Sequence, residues 1–574
     1  MLIRLLREYT KPYRGRVVLI SVLVLIQAVI SLYLPRLNAD IVNEGIVTGD
    51  IGYIWRVGGW MLLLTVISMG FAVWAAWHNA FVSMSFAREI RRDVFAKVLG
   101  FTAQEVDRFG TPSLITRNTN DIQQVQLLLT VLLSMLLSAP LTMIGGIIMA
   151  LRTNGHMSLL IAVAVPAMGV VIGIMMKVAI PQFRVIQTRI DAINGILREQ
   201  INGMRVIRAF VRDDFERERF GVASEQLKET SLKINRTFAL AMPVLTLILN
   251  FSTIGVVWYG AHLVESGHMT IGDIGAFISY LMQILFSVMM ATMAVILIPR
   301  AAASAERIQE VLDVQPAITD PAHPKPQTTP GTITLRDVNF RYPGAEAPVL
   351  HDIDFEVRRG EFTAIVGGTG SGKTTVIGLL ARFFDVSSGQ VLVGGVDVRE
   401  QTLESLYRSI GLVPQRAYIF GGTIRDNVKF GAPDLTDDEV WHALEIAQAA
   451  DYVREFEKGL DHEVAQGGQN LSGGQRQRLS IARALALRPD IYILDDSFSA
   501  LDAATDARLR AALQREMQDS TVIVVAQRVS TVLHADRIIV LDEGSIAGIG
   551  THDELMRTCT AYQEIVGSQL GASA

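Results

Sequence analysis

Residues Phe362–Phe384 read FTAIVGGTGSGKTTVIGLLARFF. The first five residues form an apolar run typical of a buried strand, GGTGSGKT at 367–374 is a glycine-rich loop, and the remainder is typical of a helix. In such a loop, successive backbone N–H groups can turn inward around phosphates, and the following helix adds the positive end of its dipole. The stretch therefore predicts a phosphate-binding loop in which Lys373 reaches the β- and γ-phosphates and the Thr374 hydroxyl coordinates Mg²⁺.

A second stretch, Tyr492–Asp502, reads YILDDSFSALD and supplies the acid that such a metal needs. The apolar strand Ile491–Leu494 leads directly to Asp495, and a strand of this composition is buried on both faces of a parallel sheet. Asp495 is therefore the natural partner of the metal, generally through a water molecule. Together the two stretches predict a domain that binds Mg–nucleotide.

The first half of the chain has a different composition. Half of the 574 residues are apolar and only 19% are charged, and the apolar residues are concentrated in the first 300 positions. Six uncharged or nearly uncharged runs are about 18 to 26 residues long, which predicts membrane-spanning helices. These runs are Val17–Leu34, Gly58–Trp77, Leu127–Leu151, Met157–Ile180, Ala239–Val264 and Gly275–Ile298. The net charge of −5 gives no electrostatic reason to expect nucleic acid, and the single cysteine, Cys559, excludes an intrachain disulfide.

The charges between the runs predict the orientation. The N-terminal segment and the long loops at 78–126 and 181–238 are basic, whereas the loop at 35–57 has more acidic than basic residues. By the positive-inside rule, both termini and the two long loops are predicted to be cytoplasmic, in a multi-pass protein of the cell membrane. The long loops have helical periodicity and should reach on the order of 30 Å below the membrane. Helices lying on the lipid surface are the alternative, but their mixed acidic and basic faces argue against it.

A proline-rich stretch, QPAITDPAHPKPQTTP, begins after Val314 and indicates a linker. Beyond it, short β-rich runs alternate with helical stretches, which is the pattern of an α/β domain with a largely parallel sheet. We therefore predict a transmembrane domain over 1–313 that includes the two long loops, a linker over 314–330 and a nucleotide-binding domain over 331–574. The predicted fold class is an α-helical transmembrane domain of six spans fused to an α/β phosphate-loop domain.

Residues Gln469–Ser480 read QNLSGGQRQRLS, and LSGGQ at 471–475 is the signature of ATP-binding-cassette (ABC) domains. With the glycine loop, the paired-acid strand and the SALD turn at 499–502, the chain resembles a half-transporter of the ABC exporter type over essentially its whole length. The resemblance implies an ATPase of the translocase type, with ATP and Mg²⁺ as cofactors. It also implies a dimer with a homologous subunit, because six spans do not complete the pathway in this family.

The resemblance assigns roles residue by residue. Tyr342 would stack on the adenine, Gln415 would sense the γ-phosphate and the metal, Ser472–Gln475 would close over ATP held by the opposite cassette, and Asp502 would bridge the two sites. The implied ATP-binding residues are Tyr342, Gly367, Gly370, Ser371, Gly372, Lys373, Thr374, Thr375, Gln415, Ser472, Gly473, Gly474, Gln475 and Asp502, and the implied metal ligands are Thr374, Gln415 and Asp495. Glu463 matches an acidic position that contacts coupling helices, which would fall near Phe109–Arg117 and Arg208–Asp214.

The chain departs from the family at two positions. Glutamate usually follows the metal-binding aspartate, and histidine usually follows the next strand, but here these positions hold Asp496 and Gln527. Aspartate is one methylene shorter, and a misplacement of about 1 Å can lower the rate about 100-fold. Glutamine can donate a hydrogen bond but cannot carry positive charge towards the transition state. The predicted catalytic set, Asp495, Asp496 and Gln527, should therefore retain ATP and hydrolyse it slowly.

The leading hypothesis is one subunit of a heterodimeric exporter, in which a degenerate site holds ATP and the intact LSGGQ completes a hydrolytic site on the partner. A homodimeric exporter with its own ATPase, a nucleotide-gated regulator or channel subunit, and an importer with exporter-like architecture stay open. The spans carry isolated polar residues such as Gln27, Asn250 and Gln283, and a methionine-rich stretch, YLMQILFSVMMATM. This composition weakly favours amphipathic, drug-like or lipid-like substrates, although ordinary helix packing also explains it.

Overall fold

The computed structural model of the chain describes residues 1–498, 501–526 and 532–570. It divides into two compact units. The first, called the helical unit here, holds Met1–Leu99 and Thr111–Val314. The second, called the cassette unit, holds Gly100–Gly110 and the chain from Gln315 onward. The predicted domain boundaries at 1–313, 314–330 and 331–574 remain a prediction.

Helices account for almost all of the helical unit. In chain order up to Asp313, the α-helices are α1 (Leu2–Thr10), α2 (Arg14–Asp40), α3 (Ile51–Leu99), α4 (Ala103–Phe109), α5 (Thr111–Thr116), α6 (Ile122–Val131), α7 (Leu137–Thr153), α8 (Ser158–Ala209), α9 (Asp213–Glu265) and α10 (Ile271–Asp313). Of these, α4 belongs to the cassette unit and the others to the helical unit. Short 3₁₀ or π-helical turns lie at Lys11–Tyr13, Ile41–Ile46, Arg117–Asp121 and Leu132–Leu136. Several of these elements run into one another without a break.

In the part of the chain that the structure describes, six helical segments are long and apolar enough to cross a membrane. They are Leu2–Ile46, Ile51–Leu99, Thr111–Thr153, Ser158–Ala209, Asp213–Glu265 and Ile271–Asp313, so the prediction of six spans is confirmed. The helical periodicity of the loop at 181–238 is also found, but as a continuation of the spans. Helix α8 has 52 residues and includes Pro166 and Pro181 without ending there, and at about 78 Å it exceeds the roughly 30 Å hydrocarbon core.

Two segments predicted to be coupling helices have defined backbones. Phe109–Arg117 contains the end of α4, a glycine at φ +75°, helix α5 and the start of a π-helical turn. Arg208–Asp214 contains the end of α8, the turn at Phe210–Arg212 and the start of α9. Phe210 and Val211 are both largely exposed there, with 74% and 83% of their surfaces accessible. Whether these segments transmit motion stays a prediction.

The cassette unit combines two main sheets with helices. Its strands are β1 (Ile333–Phe340), β2 (Leu350–Val357), β3 (Phe362–Gly367), β4 (Ser388–Val393), β5 (Val396–Asp397), β6 (Ile410–Val413), β7 (Gly422–Thr423), β8 (Glu463–Val464), β9 (Ile491–Asp495), β10 (Thr521–Val525), β11 (Arg537–Asp542) and β12 (Ser545–Gly550). The later helices are α11 (Lys373–Leu380), α12 (Leu403–Ser409), α13 (Ile424–Val428), α14 (Asp437–Ile446), α15 (Ala450–Glu455), α16 (Gly473–Ala486), α17 (Ala503–Glu516), α18 (His552–Thr558) and α19 (Thr560–Leu570).

The six-stranded sheet has the order β12-β11-β3-β10-β9-β6. Strands β11, β3, β10, β9 and β6 pair in parallel, and only β12 is antiparallel among them. A separate antiparallel sheet has the order β2-β1-β4-β5. Because neighbouring parallel strands end at the same edge, the segments that follow β3, β9 and β6 come together at one side of the sheet, which is where open α/β sheets bind ligands.

Candidate nucleotide-binding site

The glycine loop connects β3 to α11 with a backbone that only glycine tolerates at several points. Gly370 and Gly372 have φ values of +84° and +96°, in the left-handed region that disfavours other residues. A Cβ on Gly367 would lie 2.2 Å from the carbonyl oxygen of Leu541, and one on Gly372 would lie 2.5 Å from Cδ2 of Leu350. The predicted sequence of strand, loop and helix is therefore confirmed, and the loop is packed closely against its surroundings.

Lys373, the first residue of α11, lies across this loop. Its Nζ donates to the carbonyl oxygens of Gly367 and Gly368 at 3.0 and 2.6 Å and contacts Oγ of Ser371 at 3.3 Å. Burial lowers the pKa of the Lys373 ammonium, and the carboxylates of Asp495 and Asp496 act in the opposite direction. The ammonium therefore lies at the loop and within the electrostatic influence of both acids, which suits it to bind an anion there.

The two acids follow the end of β9. Asp495 is 6% exposed. Burial raises the pKa of its carboxyl, the negative charge of Asp496 adds to this rise, and Lys373 opposes it. The backbone of Asp496 has φ +46°, and its N–H donates to the carbonyl oxygen of Val525 at 3.0 Å. This bond is the last of the ladder between β9 and β10, and the left-handed backbone of Asp496 turns the chain away from the strand directly after Asp495.

Gln415 reaches this turn from the end of β6. Its Nε2 donates to Oδ2 of Asp496 at 3.4 Å, and its side chain is exposed. Gln415 was predicted to touch the γ-phosphate and the metal, and in the structure its partner is the second acid. The structure thus brings together the glycine loop, Lys373, Asp495, Asp496 and Gln415. Gln527, the other departure from the family, lies outside the described residues.

Tyr342 is held by an aromatic cluster beside α11. Its ring centroid lies 4.9 Å from that of Phe340 and 5.3 Å from that of Phe384, both in edge-on geometry. Its hydroxyl hydrogen bonds to Oγ1 of Thr375 at 3.0 Å. Two residues predicted to bind ATP are therefore bonded to each other. Sequence reasoning missed the two phenylalanines beside the Tyr342 ring, although Phe384 ends the stretch 362–384 and Phe340 is only two residues before Tyr342.

The signature residues cap a different helix. Ser472 is the N-cap of α16, where its Oγ accepts from the N–H of Gln475 at 3.2 Å and its own N–H donates to Oε1 of Gln475 at 2.8 Å. Ser472 and Gly473 are exposed, and Gly474 is half-buried. No hydrogen bond within the described ranges joins these residues to the glycine loop. The arrangement presents the N-terminus of a 14-residue helix at the surface, which favours an anion there.

Two further predicted residues have local roles. Asp502 is the N-cap of α17 and its Oδ1 accepts from the N–H of Thr505 at 2.9 Å, a bond that lowers the pKa of the Asp502 carboxyl. Glu463 lies on β8 with its side chain 82% exposed, and its Oε1 is 3.6 Å from Nζ of Lys458. Neither role was evident from the motifs, because both depend on where a helix or strand begins.

The donor set fits magnesium bound together with a nucleotide. Among the described residues, no group of three or more His, Cys, Asp or Glu side chains could hold a metal by itself. Mg²⁺ usually takes only one or two protein ligands together with water and substrate phosphates. Thr374 is an exposed residue at the end of the loop, and Asp495 offers a buried carboxylate at the end of β9, which β10 separates from β3. When bound, the metal would neutralise negative charge on the phosphates.

Comparisons with known proteins agree with this geometry. Residues 17–288 match the family model of the ABC transporter transmembrane region, and residues 350–499 match that of the ABC transporter. An uncharacterized ABC transporter ATP-binding protein of Mycobacterium tuberculosis is 44% identical over 99% of this chain and 98% of its own length. A probable multidrug resistance ABC transporter ATP-binding/permease protein of Bacillus subtilis is 31% identical over 97% of this chain and 95% of its own.

A solved structure is similar over the same length. A bacterial Atm1-family ABC exporter with ATP bound has a TM-score of 0.81 and 25% identity, covering 98% of this chain and 99% of the other. The six apolar helices followed by a cassette match that exporter fold. The chain is therefore a membrane protein that belongs to the ABC transporter family and has the architecture of an exporter half-transporter.

Proposed function

We propose that this chain is one subunit of an ATP-driven exporter in the cell membrane and that its own nucleotide site holds ATP with little turnover. The proposal rests on a contrast within the site between the groups that bind ATP, which are all present, and the groups that act in hydrolysis, which are both replaced. The loop, Lys373, Thr374 and Asp495 supply everything needed to hold Mg–ATP, whereas Asp496 and Gln527 replace the two groups that act on the γ-phosphate and its attacking water. ATP binding closes two cassettes, and the coupling segments transmit that closure to the spans.

The exposed signature at Ser472–Gln475 supports a role outside this chain's own site. In the proposed assembly, this signature contacts ATP that is bound to the cassette of a homologous subunit. That subunit carries a glutamate and a histidine where this chain has Asp496 and Gln527. Both termini and the cassette are cytoplasmic. The substrate is amphipathic and drug-like or lipid-like, which agrees with the name of the Bacillus subtilis relative. Tyr342 stacks on the adenine after its bond to Thr375 rearranges, and Asp502 links the two sites.

Purification from the native membrane tests this proposal. The chain carries a tag, is reconstituted in lipid nanodiscs, and is analysed for a second ABC half-transporter and for ATPase activity. We expect a one-to-one complex whose hydrolysis exceeds that of this chain alone at least about tenfold. Recovery of the chain only as a homodimer with the same activity as the native material would contradict the heterodimer and favour the homodimeric exporter.

A further inference from the structure

The helical unit contains a cavity of about 650 Å³ between α2, α7, α8, α9 and α10. This volume is in the range of pockets that hold small organic molecules. All of its lining residues belong to the helical unit. The cavity is separate from the nucleotide site, and its lining gives information on the chemistry of the molecule that it can bind.

The polar part of the lining consists of Thr246 on α9 and three pairs of residues, each pair spaced four apart on one helix. Because residues i and i+4 lie on the same face of a helix, each pair presents two polar groups to the cavity. The pairs are Gln27 and Ser31 on α2, Ser138 and Thr142 on α7, and Gln283 and Ser287 on α10. In the sequence, Gln27 and Gln283 appear as isolated polar residues, and the structure shows that each belongs to such a pair.

Three of these residues offer acceptors. The hydroxyl groups of Ser138 and Ser287 donate to the carbonyl oxygens of Met135 and Ile284 on their own helices, so their oxygens remain able to accept. Gln283 donates through Nε2 to the carbonyl oxygen of Ser31 at 3.4 Å, while its Oε1 is buried without a hydrogen-bond partner. The Oε1 atom has almost no accessible surface here, so a rotation of the Gln283 amide towards the cavity is needed for a ligand N–H or O–H group to satisfy this acceptor, and that bond would stabilise the complex.

The apolar part of the lining is adaptable. Five of the chain's 20 methionines line the cavity: Met168, Met242, Met282, Met289 and Met290. They come from three different helices, and unbranched thioether side chains adjust to apolar surfaces of different shape. A ligand with a variable apolar body therefore fits the lining better than one with a fixed polar outline.

The lining has no charged side chain among its residues. Along α2, the nearest charged residue is Arg36, about 8 Å beyond Ser31, and it is already paired with Asp273 at 3.0 Å. Along α10, Asp273 precedes Met282 by about 13 Å. A carboxylate, phosphate or ammonium on the ligand would lose its hydration in the cavity without gaining an opposite charge, which is unfavourable.

We infer that the cavity binds uncharged amphipathic molecules that carry at least one N–H or O–H donor, and that Gln283 determines this selectivity. The inference rests on the proposed exporter function and narrows its substrate class. The proposed class of drug-like or lipid-like compounds includes amphiphiles with a net charge at the polar end. The inferred selectivity excludes these charged amphiphiles.

Four fluorescent dansyl sulfonamides with the same hexyl tail test the inference. One is neutral with an N–H donor, one is neutral and N-methylated, one carries a terminal sulfonate and one carries a quaternary ammonium. Their fluorescence is titrated with the full chain in lipid nanodiscs, with empty discs as the blank for partition into lipid. We expect the N–H probe to bind about fivefold more tightly than its N-methyl analogue and at least about tenfold more tightly than either charged probe.

Variants test the role of Gln283. Gln283→Leu should bring the N–H probe down to the affinity of the N-methyl probe, and Gln283→Glu should increase the affinity of the cationic probe. Asn250→Leu is the matched control, because this amide lies on α9, is exposed and does not line the cavity. Equal affinity for the sulfonate and N–H probes, or no change in either Gln283 variant, would overturn the inference.

The same discs separate this inference from the proposed function. A fluorescent ATP analogue reports nucleotide binding without any transport. Normal ATP binding with no discrimination among the probes contradicts the substrate class alone. If the chain discriminates among the probes but does not bind ATP, the proposed function is contradicted, whereas the inferred selectivity of the cavity is still supported. If Gln283→Leu does not bind ATP and is misfolded, the wild-type probe series and Gln283→Glu still decide the question.

Discussion

The glycine loop and the Asp495–Asp496 turn lie on two sides of one site, and they depend on different parts of the chain. The loop is determined by its backbone, since a Cβ at Gly367 or Gly372 would meet neighbouring atoms within 2.5 Å. At the turn, the position of the carboxylate oxygen depends on side chains, namely on the reach of Asp496 and on the 3.4 Å bond from Gln415. We expect phosphate binding to tolerate the shorter acid better than the positioning of a water molecule does. A site of this kind can therefore lose turnover while keeping its fold and its ligand.

The largest expected difference between the two sides is in ATP affinity. Lys373→Ala removes the charged donor at the loop, and we expect Mg–ATP affinity to fall about 10- to 100-fold, the value of one charge-assisted hydrogen bond. Asp496→Asn keeps the size of the side chain and should change affinity by less than about threefold. Equilibrium titration with a fluorescent ATP analogue measures both. If Asp496→Asn lowered Mg–ATP affinity more than Lys373→Ala does, the turn and not the loop would be the main determinant of ATP binding.

The signature should affect hydrolysis by the assembled complex and leave this chain's own ATP affinity unchanged. Ser472→Ala removes a cap worth about 1 kcal/mol and a hydroxyl proposed to face the partner's ATP, so ATPase activity of the complex should fall about tenfold or more. Thr436→Ala is the matched control, because Thr436 caps α14 with the same box geometry. Equal losses of activity in the two variants would mean that only helix stability is involved.

Backbone strain should distinguish two glycines of the same loop. Gly372→Ala places a Cβ 2.5 Å from Leu350 at φ +96° and should lower stability by about 1 to 3 kcal/mol, with a matching loss of ATP affinity. Gly368→Ala has nothing within 4 Å of its new Cβ and should behave as the natural chain does. Thermal unfolding of the two variants in nanodiscs is the measurement, and a stable Gly372→Ala would show that the loop relaxes.

The smallest expected effect is a shift along the pH axis. Since burial and Asp496 raise the pKa of Asp495, Mg–ATP affinity should be present above that pKa and be lost as pH falls through it. Since burial lowers the pKa of Lys373, affinity should also be lost as pH rises through the lowered value. Asp496→Asn should move both limbs to lower pH, because it removes one cause of the raised pKa of Asp495 and one of the charges that oppose the lowering of the Lys373 pKa. Asp495→Asn is the control. If this variant still loses Mg–ATP affinity over the same range of low pH, the loss is caused by the titration of another group.

Much of the fold could be predicted because its signals are local. The strand before the glycine loop was predicted at Phe362–Val366 and is found as β3, Phe362–Gly367, and the strand predicted at Ile491–Leu494 is found as β9, Ile491–Asp495. The six spans follow from apolar runs of sufficient length. Helix α11 ends at Leu380, earlier than the apolar pattern indicates, because the chain turns into the left-handed region at Arg382 with φ +50°.

Other features depend on contacts between distant parts of the chain. The bond between Tyr342 and Thr375 and the reach of Gln415 to Asp496 join residues on separate strands and loops, and no motif encodes them. That the polar pairs on α2, α7 and α10 face one cavity follows only from the packing of these three helices. The assignment of Gly100–Gly110 to the cassette unit likewise follows from tertiary contacts.

The central claim is that this chain's own site binds ATP and hydrolyses it slowly because of Asp496 and Gln527. The most direct measurement is steady-state ATPase activity of the purified chain alone in lipid, beside the double variant Asp496→Glu, Gln527→His. A second copy of the chain can supply an intact signature, so the double variant should complete a working site. Lys373→Ala in the double variant is the control that assigns the activity to this chain.

We expect saturable ATP binding by both proteins, little turnover in the natural chain and a rate about 100-fold higher in the double variant. A natural chain that alone hydrolyses ATP at about 1 s⁻¹ or faster, with no gain from the double substitution, would contradict the central claim.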